Sequence, residues 1–368
     1  MVTRSNRILG AGAAALGVTA LTLGATGATG ASAASHIAAA PRASVVLNGA
    51  GSTFIAPLLQ GAVIPQYTKA NPNVQINYNP IGSGAGIALF TKGSVNFAGS
   101  DALLNATQAN AATGQCGGGQ AGGVVKIPAT IGAVTLFFNL PGVQTGLKLS
   151  SDVVANIFLG KVTNWSDPSI KSLNPSVNLP NLAIQTVHRA DGSGTTYIFT
   201  HYLSAISSTW KSSVGSGATV NWPNGAGAKG SSGIAAAVQQ TQGAIGYADL
   251  AYAIQNSLPY AYLQNAKGNF IAPSSASASL AANSFAKVMP SDLQQIIVNS
   301  PDPKAYPATG YSYIFMCGRQ TGAIGHALLG FVKYEVTTGQ KFAGQLYYGS
   351  IPASVQKLEL AALGNVRQ

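Results

Sequence analysis

The stretch HRADGSGTT, residues 188–196, follows the apolar, β-branched run 184–187 and leads into an apolar-periodic segment over 196–210. It therefore reads as a loop that joins a strand to a helix. The loop holds one Arg, one Asp and a run of glycine and hydroxyl residues. A helix N-terminus offers backbone N–H groups without intrahelical partners and a partial positive charge, and glycine lets a ligand approach the backbone. Arg189 would add a forked cation suited to a tetrahedral oxyanion, with Asp191 holding the guanidinium in place. Two readings fit this loop taken alone: an anion cradle, or ordinary capping by Ser193 or Thr195 with Arg189 and Asp191 paired on a solvated surface.

The same grammar recurs along the chain. A strand over 44–47 runs into Gly51-Ser52-Thr53-Phe54 ahead of a helix over 55–69. A strand over 74–78 is followed by Gly82-Ser83-Gly84 and a helix over 87–91, and a strand over 95–98 ends at Gly99-Ser100-Asp101. Donor loops repeated after strands are hard to assign to capping alone. They predict an α/β fold whose loops gather at one edge of a sheet, where ligands of such folds bind. Asp101 is the odd member, because a carboxylate among donors repels an anion. It fits a ligand that still carries a proton to donate, as phosphate does at neutral pH and sulfate does not.

Farther along, 124–139 is rich in β-branched and aromatic residues and is broken at Pro128. Helices are expected over 151–159, 234–240, 293–298 and 327–338, and strands over 244–247 and 311–317. Residues 104–123 read as an exposed loop or weak helix, 161–180 as a connection, and 272–285 give no clear preference.

At 368 residues with 46% hydrophobic content, the chain exceeds the usual size of one domain, so two are expected. Its formal charge is +11, yet only 8% of residues are charged, with no cluster of Lys and Arg interleaved with aromatics. That argues against a nucleic-acid partner and for a mildly anion-attracting field. Arg4 and Arg7 precede a Gly- and Ala-rich apolar run that is short and weak for a membrane span, and Ala31-Ser32-Ala33 suits signal peptidase. Residues 1–33 are thus read as a secretory signal and 34–43 as a tether. The protein is expected to be exported, periplasmic or extracellular, with no Cys placed to carry a lipid anchor. Cys116 and Cys317 are the only cysteines; outside the cell they fit either a disulfide or two structural thiols. With His36, His188, His201 and His326 they show no metal-ligand spacing, so no metal or other cofactor is expected.

Rival chemistries leave weaker traces. GAGAKG (225–230) matches G-x-G-x-x-G, with Asp249 about twenty residues on, but Pro223 stands where the preceding strand should run. No P-loop and no G-x-S-x-G elbow occurs. A phosphate-ester hydrolase would need a nucleophile with its base or a cluster of carboxylates and His, and the scattered acids do not supply one.

The segments LNGAGSTF (47–54), IGSGAGI (81–87), AGSDALL (98–104), NIFLGKVTNW (156–165), HRADGSGTT (188–196), GAKGSSGIAA (227–236) and GAIGYADLAYA (243–253) resemble, in order, the phosphate-binding subunits of bacterial ABC phosphate importers. The likeness runs from about Val46 to Tyr252. It implies a two-lobe fold of the type II periplasmic-binding-protein kind, each lobe a central mixed sheet flanked by helices, with two crossover strands. Lobe I would comprise 44–129 with 312–368, and lobe II 130–311. The resemblance implies phosphate donors at Thr53, the Phe54 backbone N–H, Ser83, Arg189, Ser193, Gly194 and Thr195. Asp101 would accept the phosphate proton and Asp191 would orient Arg189.

It also implies a monomer that is no enzyme and delivers phosphate to membrane ABC permease subunits. The alternatives are a secreted phosphate scavenger, or a binder of another oxyanion, uncoupled from a permease. The chain departs from the family at His188, a position often basic there and read here as a rim residue. A Gln/Gly insertion around Cys116 and the 272–300 region also depart. The implied topology puts Cys116 and Cys317 in the same lobe, where a disulfide would staple its discontinuous parts.

Overall fold

The structure, a computed structural model, describes residues 45–118 and 122–368; the expected signal and tether lie outside the described residues. Among the described residues eleven strands are formed: β1 (Val45–Gly51), β2 (Val74–Asn79), β3 (Phe97–Ser100), β4 (Val124–Phe138), β5 (Leu147–Leu149), β6 (Gln185–Arg189), β7 (Ala226–Ala228), β8 (Ala244–Asp249), β9 (Ala261–Gln264), β10 (Phe270–Ile271) and β11 (Thr309–Cys317). Eight of them make one mixed sheet in the order β2-β1-β3-β11-β4-β8-β6-β7, and β10-β9-β5 form a small second sheet.

The large sheet has two halves of like design. In one, β1 lies between β2 and β3 and runs parallel to both. In the other, β6 lies between β7 and β8, again parallel to both. In each half the chain leaves the middle strand, crosses to one neighbour and returns to the other, which opens a crevice beyond the carboxyl ends of the strands. The long antiparallel strands β4 and β11 join the halves: 124–133 of β4 pair with β11, and Val134–Phe138 pair with β8. From Ile127 onward β4, an interior strand of the large sheet, is buried at every residue.

Pro128 does not break this strand. The register between β4 and β11 shifts between Ser312 and Tyr313, and the irregularity accommodates a residue that has no N–H to give. The helix expected over 293–298 is absent: Leu293 and Asn299 adopt left-handed φ of 60° and 52°, which interrupts helical geometry. Leu293 and Ile297 are buried as irregular chain instead. The indeterminate segment 272–285 contains the helix Ser275–Phe285, capped by Ser274, whose Oγ accepts from Ser277 N at 3.0 Å. Its buried face is Ala278, Ala281 and Ala282, at helical spacing but too small to stand out in the sequence.

Cys116, at the end of the helix Ala106–Gln115, is bonded to Cys317 at the end of β11, across 201 residues of chain. The bond ties the β1–β3 half to the strand that returns to it. Replacing both cysteines by serine is expected to cost about 2–4 kcal/mol through the freed unfolded chain. The urea midpoint of the double variant measures this, and an unchanged midpoint would show that the bond carries no stability.

Candidate anion site

The candidate residues converge at the carboxyl ends of β1, β3 and β6 and at the helices that follow. Gly51 ends β1 with φ +138°, and a Cβ there would run into the Gly99 carbonyl of β3. Only glycine lets the two strand ends approach so closely. Ser52 and Thr53 follow, both buried.

Arg189, the last residue of β6, is 4% exposed. Its Nε and one terminal nitrogen donate to the two oxygens of Asp191 at 2.7 and 2.5 Å, and its other terminal nitrogen donates to Thr53 Oγ1 at 3.2 Å. Asp191 Oδ1 also accepts Gly230 N at 3.0 Å. Burial opposes ionisation of Asp191, but the Arg189 hydrogen bonds and charge, with the Gly230 N–H, outweigh it and hold the carboxyl below its ordinary range. Asp191 therefore fixes the plane of the guanidinium while leaving its third edge free to face Thr53.

Ser193 caps the helix Gly194–Ile206, its Oγ accepting Thr196 N at 3.1 Å. Capping and anion binding are thus compatible here, because the cap occupies Thr196 N and leaves the first-turn N–H groups of Gly194 and Thr195 without intrahelical partners. Thr195 Oγ1 is buried and has no hydrogen-bond partner. Gly194 touches the other half of the molecule: a Cβ on it would fall 2.5 Å from Asp101 Oδ2.

Asp101 is held by two hydroxyls that sequence reasoning missed. Ser52 Oγ and Ser312 Oγ both donate to its Oδ1, at 2.5 and 2.6 Å. Its backbone N donates to Ser83 Oγ at 3.2 Å. With Oδ1 doubly engaged, Oδ2 is left facing Gly194. Burial pushes the carboxyl up to about 6, against the lowering effect of Ser312, Ser52 and the Arg189 charge. At neutral pH the group is mostly ionised and works as an acceptor.

The structure thus links Thr53, Arg189 and Asp191 in one hydrogen-bonded chain, and brings Ser83, Asp101 and Gly194 together beside it. Phe54 is placed differently from the expectation: its N–H donates to Ser52 Oγ at 3.0 Å. His188 stacks on Trp222 with ring centroids 5.0 Å apart, clear of the Arg189 side chain's partners. Asp249 caps the helix Leu250–Gln255 by accepting Ala251 N at 3.1 Å, while GAGAKG contains β7 itself. Ser231 was also missed; its Oγ lies 2.8 Å from Thr53 Oγ1. It sits within GAKGSSGIAA, so its loop was visible and its role was not. Ser312 lies inside a strand, where no loop pattern marks it.

The two halves meet at these loops, where Gly84 N donates to Gly192 O at 2.9 Å. Among the described residues, no three His, Cys, Asp or Glu side chains are grouped to hold a metal, and no helix is long and apolar enough to cross a membrane.

The PBP superfamily domain profile matches residues 29–337. The phosphate-binding protein PstS of Xylella fastidiosa (strain 9a5c) is 40% identical over 317 residues, covering 85% of this chain and 84% of its own. PstS of Haemophilus influenzae is 37% identical over 311 residues, covering 84% of this chain and 90% of its own. Among solved structures, the periplasmic phosphate-binding protein PfluDING bound with phosphate matches with a TM-score of 0.67 at 20% identity, covering 86% of this chain and 93% of its own. A phosphate-binding protein of Stenotrophomonas maltophilia matches at 0.63 and 21% identity over the same shares. At these identities the solved structures speak for the fold, and the two sequence relatives speak for the family. All four are binding proteins.

Proposed function

This chain belongs to the PstS family of phosphate-binding proteins, within the PBP superfamily, and from that premise we propose that it captures inorganic phosphate and delivers it to a membrane ABC permease. Residues 44–129 with 312–368 act as one lobe and 130–311 as the other, closing over the ion on the β4 and β11 crossings. The protein is exported and works as a monomer, binding without catalysis. The observation that carries the reading is the buried Arg189–Asp191 pair, set against Asp101 within one ring of hydroxyls and helix N–H groups.

In this reading Arg189 neutralises the anion, and Thr53, Ser83, Ser193, Gly194 and Thr195 donate to its oxygens. Phe54 N turns from Ser52 to the ligand. Asp101 accepts the one proton that phosphate retains. Each lobe supplies part of the set, so only the closed form satisfies every phosphate oxygen.

Calorimetry on the mature protein, stripped of ligand by unfolding and refolding, tests this directly. Tight one-to-one binding of phosphate with sulfate weaker by on the order of 100-fold or more is expected at pH 8, from the cost of facing two like charges. Because burial places the Asp101 carboxyl near 6, protonation below that pH removes the repulsion. Sulfate affinity should therefore rise as pH falls from 8 to 5. In Asp101→Asn it should be higher at pH 8 and flat with pH. Sulfate exclusion that persists in Asp101→Asn would move selectivity to another group.

A further inference from the structure

The phosphate reading leaves two tyrosines at the back of the cradle without a task. Tyr252, in the helix Leu250–Gln255 that follows β8, donates its hydroxyl to the Thr53 carbonyl at 3.1 Å. Tyr348 donates to the Phe54 carbonyl at 2.6 Å, and its oxygen lies 3.1 Å from Asp249 Oδ1. Both phenols hold backbone carbonyls of the loop that follows β1. The C=O and N–H of one planar peptide point in opposite directions. Fixing the Thr53 carbonyl therefore fixes the direction of the Phe54 N–H, and with it the loop that presents Thr53 Oγ1 to Arg189.

The matching design of the two halves makes the arrangement informative. Asp101 follows β3 and Asp249 ends β8, so the two carboxyls occupy corresponding strand ends. They have different work. Asp101 turns Oδ2 toward Gly194, whereas Asp249 caps Ala251 N and meets Tyr348. The β8 half places its strand-end carboxyl in the support of the opposite loop, and adds Tyr252 on the next helix.

We propose that Tyr252 is a closure clasp: its hydroxyl joins the β8 half to the Thr53 carbonyl of the β1 half, and this bond exists only when the halves meet around the anion. Tyr252 is a positioning residue and touches no phosphate oxygen. Tyr348 has a mixed part, because its shorter bond, to Phe54, stays within the β1 side while its oxygen also lies near Asp249 Oδ1 of the β8 half. The proposal rests on the phosphate reading and adds the residue that retains the bound ion.

Tyr252→Phe in the full mature chain tests it, with native protein titrated first. Loss of a hydrogen bond to a buried carbonyl acceptor is expected to speed phosphate dissociation about tenfold, while association, governed by encounter with the open form, stays within about twofold. The melting temperature without phosphate should not move, and the increment that phosphate adds should shrink. Tyr306→Phe, which loses a 3.1 Å bond to the Val134 carbonyl inside residues 130–311, is the comparator for a structural role, lowering the melting temperature equally with and without phosphate. Native binding with unchanged dissociation in Tyr252→Phe, or a variant that loses the same stability in both states, overturns the clasp alone. Native protein that takes up no phosphate overturns the functional reading and the clasp with it.

Discussion

Arg189→Ala should raise the dissociation constant for phosphate by about a thousandfold, or roughly 4 kcal/mol, which lies within the 2–5 kcal/mol or more for truncating one partner of a buried, hydrogen-bonded charge pair. The side chain is nearly inaccessible and holds three oxygens at once, both of Asp191 and Thr53 Oγ1. Removing it withdraws the fixed positive charge of the cradle and leaves Asp191 as an uncompensated anion beside the ligand. The loss therefore combines missing attraction with new repulsion.

Arg189→Lys separates the two contributions. It restores the charge but not the fork that engages both Asp191 oxygens, so it should recover part of the affinity, with phosphate still about ten- to a hundredfold weaker than in the native chain. Calorimetry with both variants, alongside circular dichroism to verify folding, reads the outcome. Micromolar or tighter binding by a folded Arg189→Ala protein would show that Arg189 is not the principal anion ligand.

The loops that build this site were legible because their chemistry is local. A strand followed by Gly, Ser and Thr and then a helix can be read within ten or so residues, and Thr53, Ser83, Asp101 and Arg189 all lie in such runs. The groups that hold those residues in place were not legible, because they arrive from distant parts of the chain. Ser312 reaches Asp101 from 211 residues away, Tyr252 reaches Thr53 from 199 and Tyr348 reaches Phe54 from 294. No local pattern encodes a hydroxyl on a buried strand or a phenol on a neighbouring helix.

The same limit explains the errors of secondary structure. Ala278, Ala281 and Ala282 bury a helix face with side chains too small to mark a period. The apolar spacing of Leu293 and Ile297 imitates a helix but belongs to irregular chain turned at a left-handed Leu293. The single eight-stranded sheet follows from β4 being long enough to pair with β11 over its first part and with β8 over its last, a property of pairing that spacing alone does not reveal.

Stability should fall as pH rises from about 5 to 8, and one cause lies away from the cleft. Glu335, which opens the π-helical turn Glu335–Gly339, and Glu359, in the helix Ala353–Gly364, are both wholly buried. None of their four carboxyl oxygens has a hydrogen-bond partner. Glu335 lies against the bare Cα of Gly339, where a Cβ would collide with Oε2. An ionised carboxylate so placed is strongly disfavoured. Burial pushes Glu335 up to about 8, and burial together with the Glu335 charge drives Glu359 well above its ordinary range.

Each group binds its proton more tightly folded than unfolded. The contribution to stability is therefore fully present below the unfolded value near 4.5 and is lost as pH climbs through the folded value near 8. For Glu335 alone the span corresponds to roughly 5 kcal/mol at 1.36 kcal/mol per pH unit, which for a chain of this size is a fall in melting temperature on the order of 5–10 °C. Asp101 and Asp249, also raised by burial, add to the same slope. Glu335→Gln/Glu359→Gln keeps the shape of the protonated pair without its titration. Thermal unfolding from pH 5 to 9 should show a clearly shallower slope in the double variant than in the native protein, the remainder belonging to Asp101 and Asp249. An equal slope in both would place the proton release in Asp101, Asp249 or another group and would mean that Glu335 and Glu359 reach partners when ionised.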